Sequence, residues 1–175
     1  MAPLREVASL IVAGRGAAVF AAAIARARES AAVTVFAPPS ELEAIRAAHG
    51  PQARVSHRPG SVLGPWCEAA DAVDAVLLAD VLVGLPDADA VHALRRAAES
   101  LAQGGRLLVL CDLIEPDEAY DHDLEHQLIE FALSGGGGRT LDGHLALFAD
   151  AGLAVAERLA LPWGYTVFEL TPSSS

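Results

Sequence analysis

The sequence predicts an α/β domain: a mostly parallel sheet covered by helices and finished by an antiparallel hairpin. Short apolar runs alternate with alanine-rich helical stretches from residue 7 onward, a repeated rhythm of strand, turn and helix. The run 73–79, VDAVLLA, is apolar almost throughout, as in a central parallel strand buried on both faces. The last two apolar runs, LAVAERLAL and YTVFEL, are joined only by the turn PWG, and strands joined so tightly must pair antiparallel.

In chain order, the run 7–13 ends at Gly14 and leads into a helix over 17–28. A strand at 32–36 passes through the turn APPS into a helix over 40–49, which Ser40 is placed to cap. A third strand is expected at 53–57 and a fourth at 73–79. The next helix is read over 87–102 from the helical spacing of Val91, Leu94, Ala98 and Leu101, with Asp87 and Asp89 at its favourable end and Gly104-Gly105 as its stop. A strand at 105–112, helices near 118–133 and 141–151 separated by SGGGGR, and the hairpin complete one domain over 1–170, with 171–175 as a disordered tail.

At 175 residues and 53% hydrophobic content, the chain is long enough for one core burying about 70% of its unfolded surface. All twelve basic residues are arginine, and the net charge of −11 makes nucleic acid and anionic membranes poor partners. Without lysine, a Schiff-base mechanism is excluded from this chain. Cys67 and Cys111 stand far apart, forming neither a disulfide framework nor a metal knuckle, and each lacks an adjacent base. With no leader-like start and no apolar run near the ~18 residues of a span, a reducing cytoplasm is the expected compartment.

Two stretches carry a family resemblance. DAVLLADVLVGLPDADAVHALRRAAESLAQGGRLLVLCDLIE at 74–115 and SGGGGRTLDGHLALFADAGL at 134–153 resemble the catalytic half of class I S-adenosylmethionine-dependent O-methyltransferases acting on phenolic natural products. The resemblance implies a Rossmann-like, seven-stranded sheet. It also implies a second, helical domain on the N-terminal side for dimerisation and pocket closure, absent from this sequence, so that either that side is left open or another chain fills it, in a homo- or hetero-oligomer through the vacated surface.

The family's donor turn, DxGGGxG, reads VAGRGAA here. Gly14 and Gly16 match, whereas Val12 stands where the acid belongs, Arg15 replaces one glycine and Ala18 another. The ribose-binding acid after the second strand is matched by Ala37, and the adenine-facing Asp of the family's GD becomes Ser61 after Gly60. The implied cleft therefore keeps Gly14, Gly16, Ala37 and Ser61 without a carboxylate, and no cofactor is expected unless S-adenosylmethionine binds the altered cleft. The family's catalytic histidine is matched by Val83 in Val83-Gly84-Leu85-Pro86-Asp87, leaving Asp87, which is placed to cap the following helix.

Asp80 and Asp112 end the fourth and fifth strands, on the sheet edge where open α/β folds bind ligands; each is a candidate acid or base, or a bridge between loops. His122 and His126 have the spacing of a metal-binding HxxxH pair, but no third ligand is evident and a solvated acidic helix face explains them better; no metal is expected. The family places substrate contacts on this helix, so His122, His126 and Phe131 are pocket candidates, with His57 at the third strand's end. His49, His92 and His144 have no partner in view, while Trp66 and Trp163 are read as covers for apolar surface.

Three functions follow. One is a methyltransferase-like protein of natural-product biosynthesis that has lost methyl transfer, serving as a cofactor-independent cyclising or rearranging enzyme or as an auxiliary subunit. The others are an O-methyltransferase completed by a partner chain, and a non-catalytic small-ligand-binding protein.

Overall fold

In the computed structural model, which describes residues 7–49, 54–66, 71–114 and 121–173, side chains at 49, 121–124, 126, 127 and 163 lie outside the description. Five strands and the helices between them follow the predicted order: β1 (Ser9–Gly14), α1 (Ala17–Ala27), β2 (Ala32–Ala37), α2 (Pro39–His49), β3 (Val55–Pro59), β4 (Val73–Ala79), α3 (Asp87–Glu99) and β5 (Leu101–Asp112). Two helices, α4 (Asp121–Ser134) and α5 (Leu141–Asp150), precede the hairpin of β6 (Leu153–Ala160) and β7 (Tyr165–Pro172). The seven-stranded sheet has the order β3-β2-β1-β4-β5-β7-β6; β1 to β5 run parallel, and β7 lies antiparallel to both β5 and β6.

The apolar run of β4 is explained by a core on each face of the sheet. Val76 and Leu78 join Ile11, Leu94 and Phe148 on one face, while Ala75 and Leu77 join Leu10, Val12 and Val35 on the other. Alanine supplies the close approach of helices: Ala17 and Ala21 of α1 and Ala90, Ala93 and Ala97 of α3 are buried. At the far edge from the strands' carboxyl ends, the Asp74 carboxylate accepts the Ala8 and Ser9 amides at 2.8 and 2.9 Å. These backbone donors hold its pKa below the ordinary value.

Four local expectations are corrected. Helix α2 begins at Pro39 rather than being capped by Ser40, because the Pro38 carbonyl accepts the Leu42 amide and proline is pre-set for a first helical position. Helix α3 ends at Glu99, not near 102. The Ser100 hydroxyl donates to the Ala97 carbonyl at 2.7 Å, while its own carbonyl takes the Val73 amide and draws Leu101 into the sheet. Gly104 and Gly105 therefore lie inside β5, where Gly104 has φ +79°. Finally, β7 runs through Thr171 and Pro172, two residues into the expected tail. Among the described residues no helix is long and apolar enough to cross a membrane.

Candidate functional site

The parallel strands aim their carboxyl ends at one edge, and there the chain makes two tight turns. At Gly14, with φ +98°, a Cβ would lie 2.2 Å from the Ala79 carbonyl oxygen, so only glycine lets β1 close against β4. The next residue, Arg15, donates its amide to that same oxygen at 2.8 Å, and Gly16 opens α1 in the left-handed region. Beyond β4, Asp80 also takes a left-handed conformation, φ +53°, with its amide donating to the Leu110 carbonyl. Aspartate is among the few residues that tolerate this region.

These turns bring Arg15 Nε to 3.0 Å from Asp80 Oδ2, and the same guanidinium lies 3.8 Å from Glu130 of α4. The pair stands between two cavities. One, about 170 Å³, has polar walls that include Asp112, Glu130, Arg139 and His144. The other, about 400 Å³, is walled by Phe20, Leu110, Leu161 and Pro162. Arg15, Asp80 and Tyr165 line both.

Burial raises the Asp80 pKa, and the nearby Asp112 and Glu130 carboxylates add to that rise against the pull of Arg15. A carboxyl with raised proton affinity beside a guanidinium can carry a proton while the cation steadies negative charge on a bound oxygen. Cys111, on the same wall, is pushed up to about 12 by burial and by Asp80 and Asp112, which makes it a poor thiolate nucleophile.

Of the positions that the resemblance assigns to the donor cleft, Gly16 lines the apolar cavity and Gly14 ends β1 beside Arg15, whereas Val12, Ala37 and Ser61 line neither cavity. Val12 is fully enclosed in the core and Ala37 is buried, its carbonyl accepting the Gly60 amide. A Cβ at Gly60 would sit 2.3 Å from the Phe36 ring, which in turn stacks on Trp66 at 4.6 Å. Trp66 is buried, and its Nε1 donates to the Val62 carbonyl, so it ties the segment after β3 to β2. Ser61 is exposed, and its hydroxyl accepts the Leu63 amide.

Of the other candidates, Asp112 enters the polar cavity, whereas His57 and Phe131 line neither one. His57 pairs in register with Val35, its pKa lowered by burial and by Arg46, and Phe131 is exposed on α4. The backbones of His122 and His126 lie in α4, and their side chains fall outside the described residues, as does Cys67. Among the described residues no group of three or more His, Cys, Asp or Glu is placed to hold a metal ion.

Asp87 does not cap α3. Pro86 holds the cap position, and the Asp87 carboxylate instead accepts from Arg139 Nε and Nη2 at 3.0 and 2.8 Å. Arg139 also donates to the Leu82 and Leu85 carbonyls, each at 2.6 Å. The glycine turn closes on the same loop: the Gly137 amide donates to Val83, and a Cβ at Gly136 would meet the Val83 oxygen at 2.4 Å. The segment matching the family's catalytic motif is thus welded to SGGGGR through backbone atoms.

Sequence reasoning missed Arg139, Glu130, Tyr165 and His144 as cavity residues. His144 is 3% exposed, with Nδ1 3.1 Å from the Thr140 carbonyl, and burial lowers its pKa. The signal available in sequence was its position one helical turn after Thr140, which caps α5 by accepting the Gly143 amide.

A family model described as an O-methyltransferase domain matches residues 1–154. The solved mitomycin 7-O-methyltransferase is similar at 26% identity with a TM-score of 0.80, over 97% of this chain and 50% of its own. An O-methyltransferase from neocarzinostatin biosynthesis, solved with S-adenosyl-L-homocysteine and 1,4-dihydroxy-2-naphthoic acid, matches at 26% identity and a TM-score of 0.76, over 94% and 49%. Human N-acetylserotonin methyltransferase, solved with its methyl donor, has a TM-score of 0.83 at 19% identity over 98% and 49%, a likeness of fold alone. The chain spans about half the length of these solved structures.

Proposed function

The chain belongs to the O-methyltransferase domain family, and from that premise we propose that it binds a small natural-product molecule and acts on it without transferring a methyl group. The observation that carries this reading is the Arg15–Asp80 pair at the junction of a polar and an apolar cavity. An aromatic body fits the apolar side, and an oxygen substituent reaches the pair. Asp80 Oδ2 then gives or takes a proton, and Arg15 steadies the oxygen charge that results. Such proton movement serves cyclisation or rearrangement with no oxidant or reductant.

The residues present do not fit the methyl donor. Val12 and Ala37 are buried and uncharged, Ser61 is an exposed hydroxyl, and Arg15 puts a side chain where the family turn has none. Each lost carboxylate removes charge-assisted bonds of roughly 1.5–3 kcal/mol, and three such losses would turn micromolar binding negligible.

Calorimetric titration of the chain with S-adenosylmethionine and S-adenosyl-L-homocysteine is expected to give no low-micromolar binding, and finding it would sink the proposal. With 1,4-dihydroxy-2-naphthoic acid as a trial ligand, Asp80→Asn and Arg15→Ala are expected to weaken binding. A methylated product formed with the donor present would favour the alternative of an active O-methyltransferase.

A further inference from the structure

The polar cavity beside Asp80 is rich in hydrogen-bond acceptors and short of free donors. Asp80, Asp112 and Glu130 place three carboxylates on its walls, against the guanidinium groups of Arg15 and Arg139. Arg139 is fully engaged. Its five N–H groups make five hydrogen bonds, to the Leu82, Gly137 and Leu85 carbonyls and twice to Asp87, which also balances its charge. Arg15 is the remaining cation among the described wall residues, and it is shared between Asp80 and Glu130. Asp112 has no ion-pair partner among the described residues.

His144 adds a buried acceptor to the same walls, with a ring that is 3% exposed. Its Nδ1 lies 3.1 Å from the Thr140 carbonyl, and the Arg139 carbonyl also faces the ring. Carbonyls only accept, so the one N–H of the neutral ring is held on that side. Burial keeps the ring neutral, and no donor meets its lone pair among the described residues. A buried acceptor without a donor, and carboxylates in excess of free cations, call for a ligand that brings N–H groups and positive charge. A bare metal ion does not answer them, because among the described residues no three ligating groups are placed to hold one. The cavity, about 170 Å³, is roughly ten times what one water needs and so has room for an alkylammonium arm. A carboxylate arm would find only Arg15 and would face the other acids.

We propose that the molecule bound here is a phenol with an alkylammonium arm beside its hydroxyl, an assignment that rests on the reading of the Arg15–Asp80 pair given above. The ring lies in the apolar cavity against Phe20, Leu110 and Leu161, and the hydroxyl meets the pair at the junction. The arm passes into the polar cavity, where the ammonium donates to Asp112, Glu130 and His144. The three acceptors come from the end of β5, from α4 and from α5, so the charge preference is built by elements that also frame the junction.

The test titrates the full chain with three matched phenols, read by saturation-transfer NMR. They are ortho-tyramine, with an ammonium arm; ortho-ethylphenol, with an uncharged arm; and melilotate, with a carboxylate arm. Ortho-tyramine is expected to bind at least about tenfold more tightly than ortho-ethylphenol, and melilotate more weakly than either. The advantage of the cation should shrink as salt rises. Asp112→Asn with Glu130→Gln should reduce that advantage to less than about threefold, with retention of the fold read by circular dichroism. An advantage that survives both substitutions would be the general pull of a chain carrying −11 and would overturn the assignment. Melilotate binding as tightly as ortho-tyramine to the unaltered chain would also overturn it, while leaving the reading of the Arg15–Asp80 pair in place. Binding of none of the three would overturn both.

Discussion

Arg15 stands between two glycines at the end of β1 with its side chain 65% exposed, whereas Arg139 follows four glycines and is 11% exposed. Arg139 donates to the Leu82, Leu85 and Gly137 carbonyls, which carry no titratable charge, and to the Asp87 carboxylate. Arg15 faces Asp80 and Glu130 across a cavity, and both can lose or gain charge. The same guanidinium is thus a fastener in one glycine turn and an available cation in the other. What separates them is burial and the kind of oxygen they face.

The sharpest way to break this comparison is at the glycines themselves. Gly14→Ala places a Cβ against the Ala79 oxygen at a positive φ and is expected to cost about 4 kcal/mol or abolish folding, measured by urea denaturation. Gly16→Ala, with only ordinary contact to Phe20, should cost about 1 kcal/mol. Equal costs would mean that the turn relaxes and that the close approach of β1 to β4 is not required.

The arginines come next. Arg139→Ala strands the Leu82 and Leu85 carbonyls and should cost about 3 kcal/mol, with Arg139→Lys recovering only part because an ammonium cannot span the fork. Arg15→Ala removes a guanidinium that is 65% exposed from a half-buried aspartate that can take up a proton instead, and should change stability by less than about 1 kcal/mol. If Arg15→Ala proved as costly as Arg139→Ala in the same denaturation series, Arg15 would be structural and the cavity reading would lose its cation.

Two aspartates titrate in opposite senses. The Ala8 and Ser9 amides depress the Asp74 pKa in the folded state, so its stabilising contribution is present above the ordinary carboxylate value near ~3.9 and is lost as pH falls through the lower folded value. Asp74→Asn should remove that acid-side loss from a stability–pH profile. For Asp80, burial raises the folded value, so the folded chain holds the proton more tightly and stability falls as pH rises through the interval above the ordinary value. Asp80→Asn, which suits the left-handed backbone, should change neutral-pH stability by under about 1 kcal/mol while erasing that slope. A profile unchanged by the substitution would mean that Asp80 titrates as it does in the unfolded chain.

Much of the fold was legible because strand and helix periodicity is local. The run 73–79 coincides with β4, and the turn PWG joins two antiparallel strands as read. The errors fell where a distant partner decides a local choice. Helix α3 stops at Glu99 because the Val73 amide claims the Ser100 carbonyl, and Asp87 leaves its capping role because Arg139, 52 residues away, claims its carboxylate. At the site, Asp80 and Asp112 could be named because they end strands. Glu130, Arg139, His144 and Tyr165 could not, since each arrives from a different later segment.

By itself the sequence determined the order of elements, the hairpin and the glycines at the first tight turn. These depend on residue type and near spacing. Only the tertiary structure decided that Arg15 meets Asp80, that two cavities share that pair, that Trp66 ties the segment after β3 to β2, and that Leu128 and Leu133 of α4 are exposed. Charge, proton affinity and exposure are set by distances between residues remote in the chain. The strand order β3-β2-β1-β4-β5-β7-β6 fixes those distances, and no local pattern contains them.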